Sequence, residues 1–161
     1  MAWNTPSPGS RMFGCYLRDV VQNLTAIDLV AGSFKVALYN NAITPDQSVL
    51  SAASAYNTGQ WLTANEVSQA GQWAAGGVLL AGMVVNTASS PTVVWWDAND
   101  TKSGTAATLT NATGCLLYEN IIAAPVANQG VCYNYFGGSN SVVNGTFTVL
   151  FNVLGIWRAT L

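Results

Sequence analysis

The chain contains no histidine. That removes the commonest general base, the commonest metal ligand and every Ser–His or Cys–His nucleophile arrangement. No glycine-rich loop leads into a Lys-Ser/Thr pair, so no phosphate cradle is present. Carboxylates remain as the catalytic option. Asp97 and Asp100 are close in sequence, Glu66 and Glu119 could approach them in the fold, and glycosidases run on two such groups. Asp97-Ala98-Asn99-Asp100 is also what a turn wants, because Asp and Asn side chains bond the nearby backbone. The turn is the preferred reading, so no catalytic residue is expected. Asp97, Asn99 and Thr101 alternate as oxygen ligands do in a calcium loop, but Lys102 and Thr108 stand where that loop needs glycine and glutamate. Neither a metal nor a cofactor is expected.

Charge is scarce throughout the chain. Five Lys or Arg and seven Asp or Glu are the only charged side chains among 161 residues. Asn, Gln, Ser and Thr supply 48 residues and must provide the polar surface. Amides and hydroxyls lose their water at lower cost than ions do. Such a surface suits a protein packed against copies of itself or another assembly, and suits poorly a monomer kept soluble by repulsion. Arg11, Arg18, Lys35, Lys102 and Arg158 are scattered and the net charge is −2, which argues against nucleic acid. The longest apolar run, Ala74 to Val85, is broken by Gly76, Gly77 and Gly82 and is too short for a bilayer, so no membrane partner is expected. The start, Met-Ala-Trp-Asn-Thr-Pro, lacks the basic and apolar regions of a signal peptide, and synthesis in a cytosol is expected. Cys15, Cys115 and Cys132 read as reduced, buried small hydrophobes; a Cys115–Cys132 disulfide would need neighbouring strands.

The elements follow from periodicity. Residues 1–9, with Pro6, Pro8 and Gly9, read as an extended arm ahead of a single domain over 10–161. Ser10 is placed to cap a helix over about 11–24, with Phe13, Leu17, Val20, Val21 and Leu24 on one face. Phe34, Val36 and Leu38 alternate with Lys35, Ala37 and Tyr39, which predicts a strand with one buried face. Residues 46–60 are consistent with a short helix or a loop. Further strands are predicted over 78–85, over 92–96 after Pro91, and over 106–110, 114–119, 130–136, 145–151 and 155–160. Asn144-Gly145 gives the strongest hairpin signal. Seven or eight short strands at near-regular spacing predict a mainly β protein, an antiparallel β-sandwich or jelly-roll-like barrel with a short amino-terminal helix. Phe34, Val36, Leu38, Phe147, Val149 and Phe151 are expected in its core.

Six tryptophans serve either as sugar-stacking platforms or as core and interface packing. Adjacent Trp95 and Trp96 must point to opposite faces of their strand, one into the core and one toward solvent or a partner. Trp3, Trp95 and Trp96 are the interface candidates, with Trp3 an apolar anchor on the arm.

The order of several segments resembles a family of small tailed-bacteriophage virion proteins. These segments are Phe34-Lys35-Val36-Ala37-Leu38-Tyr39-Asn40, Thr44-Pro45-Asp46, Glu66 followed by Ala75-Gly76-Gly77-Val78-Leu79-Leu80-Ala81-Gly82, Val93-Val94-Trp95-Trp96-Asp97-Ala98-Asn99-Asp100, Gly114-Cys115-Leu116-Leu117-Tyr118-Glu119-Asn120, and Asn144-Gly145-Thr146-Phe147-Thr148-Val149 with Gly155-Ile156. The resemblance covers about residues 34–157, and implies a virion component without known catalysis. The role expected within a virion is a capsid decoration (cement) protein on the outer shell. It would be a homo-oligomer, a trimer by preference, bound to the major capsid protein and made in the host bacterial cytoplasm. The alternatives are a tail or baseplate component and a virion-surface carbohydrate-binding module.

Overall fold

The computed structural model describes residues 10–87 and 92–160. Among them run eleven strands, two short α-helices and one 3₁₀ turn, and every strand pairing is antiparallel. The protein is mainly β, as the alternation predicts. Its largest sheet is ordered β1 (Arg11–Met12), β9 (Gly130–Gly145), β8 (Ala107–Glu119), β2 (Phe34–Tyr39) and β3 (Glu66–Val67), with β4 (Val78–Leu79) sharing the β3 edge of β2. A three-stranded sheet is ordered β11 (Trp157–Thr160), β6 (Val93–Asp97), β5 (Val84–Thr87). A two-stranded ribbon joins β10 (Thr148–Val149) to β7 (Thr101–Lys102). Trp96 on β6 meets Phe34 on β2 at a ring-centroid distance of 5.0 Å, edge to face, and this contact ties the two sheets together. The arrangement is sandwich-like, and no barrel closes.

Strand β2 is the centre of the core. Phe34, Val36 and Leu38 are buried as the alternation predicts, but Ala37 and Tyr39 on the other face are buried too. A strand covered on both faces needs both edges closed, since bare N–H and C=O groups away from water are costly. One edge pairs with β8 along its length. The other is shared, with β3 opposite Leu38 and Tyr39 and β4 opposite Lys35 and Val36. Between those two strands the chain bulges out and returns. The indole N–H of Trp73 donates to the Val36 carbonyl at 3.1 Å, and Gly77 lies against the same peptide unit. A Cβ on Gly77 would sit 2.3 Å from the Val36 oxygen, and its φ of +84° already belongs to glycine. Of the remaining core residues named from sequence, Phe147 and Val149 are buried and Phe151 is half-buried.

Several elements differ from the pattern-based expectation. The helix α1 spans Gly14–Val21, shorter than 11–24, because Arg11 and Met12 pair with Tyr133 and Cys132 instead. Ser10 does not cap it; its hydroxyl accepts the Tyr135 N–H at 2.9 Å. The helix also turns its apolar side outward. Leu17, Val20, Val21 and Leu24 are exposed, Val21 by 77%, while Cys15, Tyr16 and Asp19 face inward. The 46–60 segment holds a one-turn helix, α2, at Ser51–Ser54. The predicted 78–85 strand divides at Gly82 (φ +66°), its halves joining different sheets. Asn144 takes the positive φ of a turn residue (49°), yet no hairpin forms there. Strand β9 is already paired with β8 up to Gly145, so Thr148 and Val149 cross to Lys102 and Thr101. Conversely, the predicted 106–110 and 114–119 strands fuse into β8 across register shifts around Asn111, whose φ is 62°.

Gly77→Ala should lose about 3 kcal/mol in urea unfolding, from strain and from the clash with Val36. Gly71→Ala, at φ +76° with nothing within 4 Å of the added methyl, should lose only about 1 kcal/mol. Equal losses would show that Gly77 matters for its dihedral alone.

Candidate functional site

The carboxylates considered for chemistry have separate structural partners. Asp97 Oδ1 accepts the Ala98 N–H at 2.9 Å, and Asp100 Oδ1 accepts the Phe151 N–H at 3.0 Å. Asn99 bonds through its backbone N–H to Ala81 while its side chain lies over Gly82. These are the bonds of a turn that fastens the 82 and 151 loops. Glu119 is buried, and its Oε2 accepts the N–H groups of Ile121 and Ile122, closing the turn after β8. Among the described residues no group of three or more His, Cys, Asp or Glu is placed to hold a metal. The cysteines are all free and buried. Strands β8 and β9 are neighbours, but Cys115 faces Asn134 and Cys132 faces Leu117 across them.

Glu66 sits at the start of β3 with a different task. Its Oε1 accepts the Gly76 N–H at 2.7 Å and its Oε2 accepts the Tyr56 hydroxyl at 2.8 Å. Tyr118 donates its hydroxyl to the Gly76 carbonyl at 2.6 Å and stacks on Tyr56 at 4.9 Å. Burial pushes the Glu66 carboxyl above its usual range; Tyr56, the N–H groups of Gly76 and Gly77, and Lys35 offset this only in part. The same burial raises the Tyr118 and Tyr56 phenols.

Asp19 is a fully buried carboxylate, and no local pattern marked it. On α1 it points inward and accepts from Ser51 (2.6 Å), Gln129 (2.7 Å) and Arg18 (2.6 and 2.9 Å). Burial works against its charge, but the Ser51, Arg18 and Gln129 hydrogen bonds outweigh it and hold the carboxyl below its usual range. Three distant segments are joined by this one side chain.

Of the interface candidates, Trp96 is fully buried and donates its indole N–H to the Leu29 carbonyl at 2.8 Å, so it belongs to the core. Trp95, on the opposite face, is half-buried. Trp3 lies outside the described residues. Trp61 and Trp73 are fully buried.

A cleft of about 550 Å³ opens between the outer edge of β9 and the 147–156 segment. Tyr135, Phe136 and Phe151 supply aromatic walls, and Asn134, Asn140 and Asn152 supply amides. None of its described lining residues is charged. A smaller recess of about 280 Å³ adjoins it, sharing Ser10, Asn134 and Ile156, and adds Arg11, Trp157 and Arg158. These positions run from residue 10 to residue 158, so no local spacing announces them; only the crossing of the chain from β9 to β10 and on to β11 brings them together.

Comparison of the chain with protein-family models, curated proteins and solved structures returns no match.

Asp19→Asn should lose about 2 kcal/mol near neutral pH. A lowered carboxylate stabilises the fold above its ordinary pKa, and that contribution disappears as pH falls through the folded value. The gap to the wild type should therefore close as urea unfolding is repeated from pH 7 to pH 2. Glu66→Gln should show the reverse sense. A raised carboxyl costs stability as pH climbs from its ordinary value through the folded one, so this variant should gain on the wild type as pH rises.

Proposed function

We propose that this chain is a non-enzymatic structural protein of a bacteriophage virion, a decoration or cement protein that binds the outer capsid shell as a homotrimer. The observation that carries this reading is the outward apolar face of α1. Leu17, Val20 and Val21 lie exposed on a helix whose two charges, Arg18 and Asp19, neutralise each other in an ion pair, and Leu24 is exposed just beyond its end. Such a face is self-complementary: it has apolar area to bury and no net charge to repel a copy of itself. The chain's other exposed branched residues, Leu150, Val153 and Leu154 among them, extend the apolar surface available to a shell. The sparse charge of the whole sequence supports the same reading, because long-range repulsion would not oppose dense packing.

The occupant of the α1 face is a second copy of this chain, and the major capsid protein is the partner of the remaining apolar surface. The sequence resemblance to small tailed-phage virion proteins agrees with that assignment. Residues 1–9, with Trp3, are offered as an additional attachment arm.

Sedimentation equilibrium of the purified chain should give a trimer. The paired variant Leu17→Glu with Val21→Glu should give a folded monomer, since both positions are solvent-exposed in the single chain, with a urea midpoint that no longer depends on protein concentration. A wild-type monomer at micromolar concentration would count against the assembly. Antibody labelling of purified particles should fall on heads. Labelling on tails would move the protein to the tail or baseplate, and its absence from particles would overturn a virion role.

A further inference from the structure

We propose that the cleft between β9 and the 147–156 segment binds a neutral oligosaccharide. Its volume of about 550 Å³ is that of a small-molecule site. Three exposed polar side chains line it, Ser10, Asn140 and Asn152. Among the described residues, each makes one side-chain bond to the backbone and keeps another function for a ligand. The Ser10 hydroxyl accepts the Tyr135 N–H at 2.9 Å, which leaves its own hydrogen to donate. Asn140 donates through Nδ2 to the Gly138 carbonyl at 3.0 Å, which leaves Oδ1 as an acceptor. Asn152 accepts the Leu154 N–H on Oδ1 at 2.9 Å, which leaves Nδ2 as a donor. The backbone bonds also fix which end of each amide is oxygen, because a carbonyl must meet a donor and an N–H an acceptor. Two donors and one acceptor are therefore held in place before a ligand arrives, which lowers the ordering cost of binding.

The same cleft has aromatic wall to offer. Phe136 and Phe151 are half-buried, so packing holds each ring while part of it stays open. Phe136 packs on the buried Phe147 with ring centroids 6.4 Å apart, and the Phe151 backbone is fixed by its N–H bond to Asp100. Fixed apolar rings take the C–H groups of a sugar, while its hydroxyls, each both donor and acceptor, serve Ser10, Asn140 and Asn152 alike.

Other ligand classes fit less well. With no charged residue among the described lining, a carboxylate or phosphate would give up water without meeting a counter-charge. A wholly apolar ligand would displace water from the three polar groups and leave them unpaired. A peptide strand continuing β1 along β9 would need the Tyr135 N–H, which the Ser10 hydroxyl already holds. A neutral sugar meets none of these penalties.

Calorimetric titration of the full chain with maltotriose, cellotriose and adenosine tests the proposal. At least one trisaccharide should bind with a millimolar or tighter dissociation constant, and adenosine should give no heat. Asn152→Ser keeps an oxygen for the Leu154 N–H and removes the amide donor, so it should weaken that trisaccharide about tenfold, the size of one hydrogen bond. Phe151→Leu keeps apolar bulk without the ring and should weaken it too, with thermal unfolding confirming that the variant is folded. Val153→Ser, exposed on the same segment but outside the cleft lining, should bind as the wild type does. No heat from either trisaccharide would overturn the proposal. So would trisaccharide binding that Asn152→Ser and Phe151→Leu leave unchanged, or adenosine binding as tightly as the trisaccharide.

Discussion

Strand β2 is buried on both faces apart from the half-buried Lys35, and the fold depends on how its outer edge is closed. Two two-residue strands, β3 and β4, do this where one long strand would be usual, and the chain between them must leave and return to the same edge. Glu66 makes the return possible. Its carboxylate holds the amide end of the Gly76-Gly77 turn while the Tyr118 hydroxyl holds the carbonyl end. Gly77 can then lie directly on the Val36 peptide, and Trp73 fills the space behind it. Withdrawing a carboxylate from water is costly, and the half-buried Glu66 is tolerated because each of its oxygens has a donor. With so few charges in the chain, placing one here indicates how much the turn constrains the rest.

Much of this was legible in the residues. Alternation in Phe34–Tyr39 located the central strand, and glycine punctuation located the turns. Adjacent tryptophans on one strand had to diverge, and Trp96 and Trp95 do. The turn reading of Asp97–Asp100 matches the bonds those side chains make. The failures share a physical cause. Local pattern finds a helix face or a turn but cannot say what lies opposite it. The apolar stripe of α1 was recognisable, yet Asp19 faces inward because Ser51 and Gln129 wait there, 32 and 110 residues away. Asn144-Gly145 has hairpin chemistry and a turn conformation, but β8 had already taken the pairing edge. The cleft was illegible for the same reason, its walls being assembled from both ends of the chain.

The surface is divided in character. On α1, apolar residues point outward from a helix whose two charges pair with each other. The cleft beside β9 is instead concave and lined by amides and aromatic rings.

A reconstruction of the intact particle tests the central claim most directly, because it reads location, copy number and contacts together. The account predicts this chain on the outer shell in threefold clusters, with Leu17, Val20, Val21 and Leu24 buried against a neighbouring copy. A particle in which the chain is present but α1 faces solvent, or from which it is missing, would contradict it.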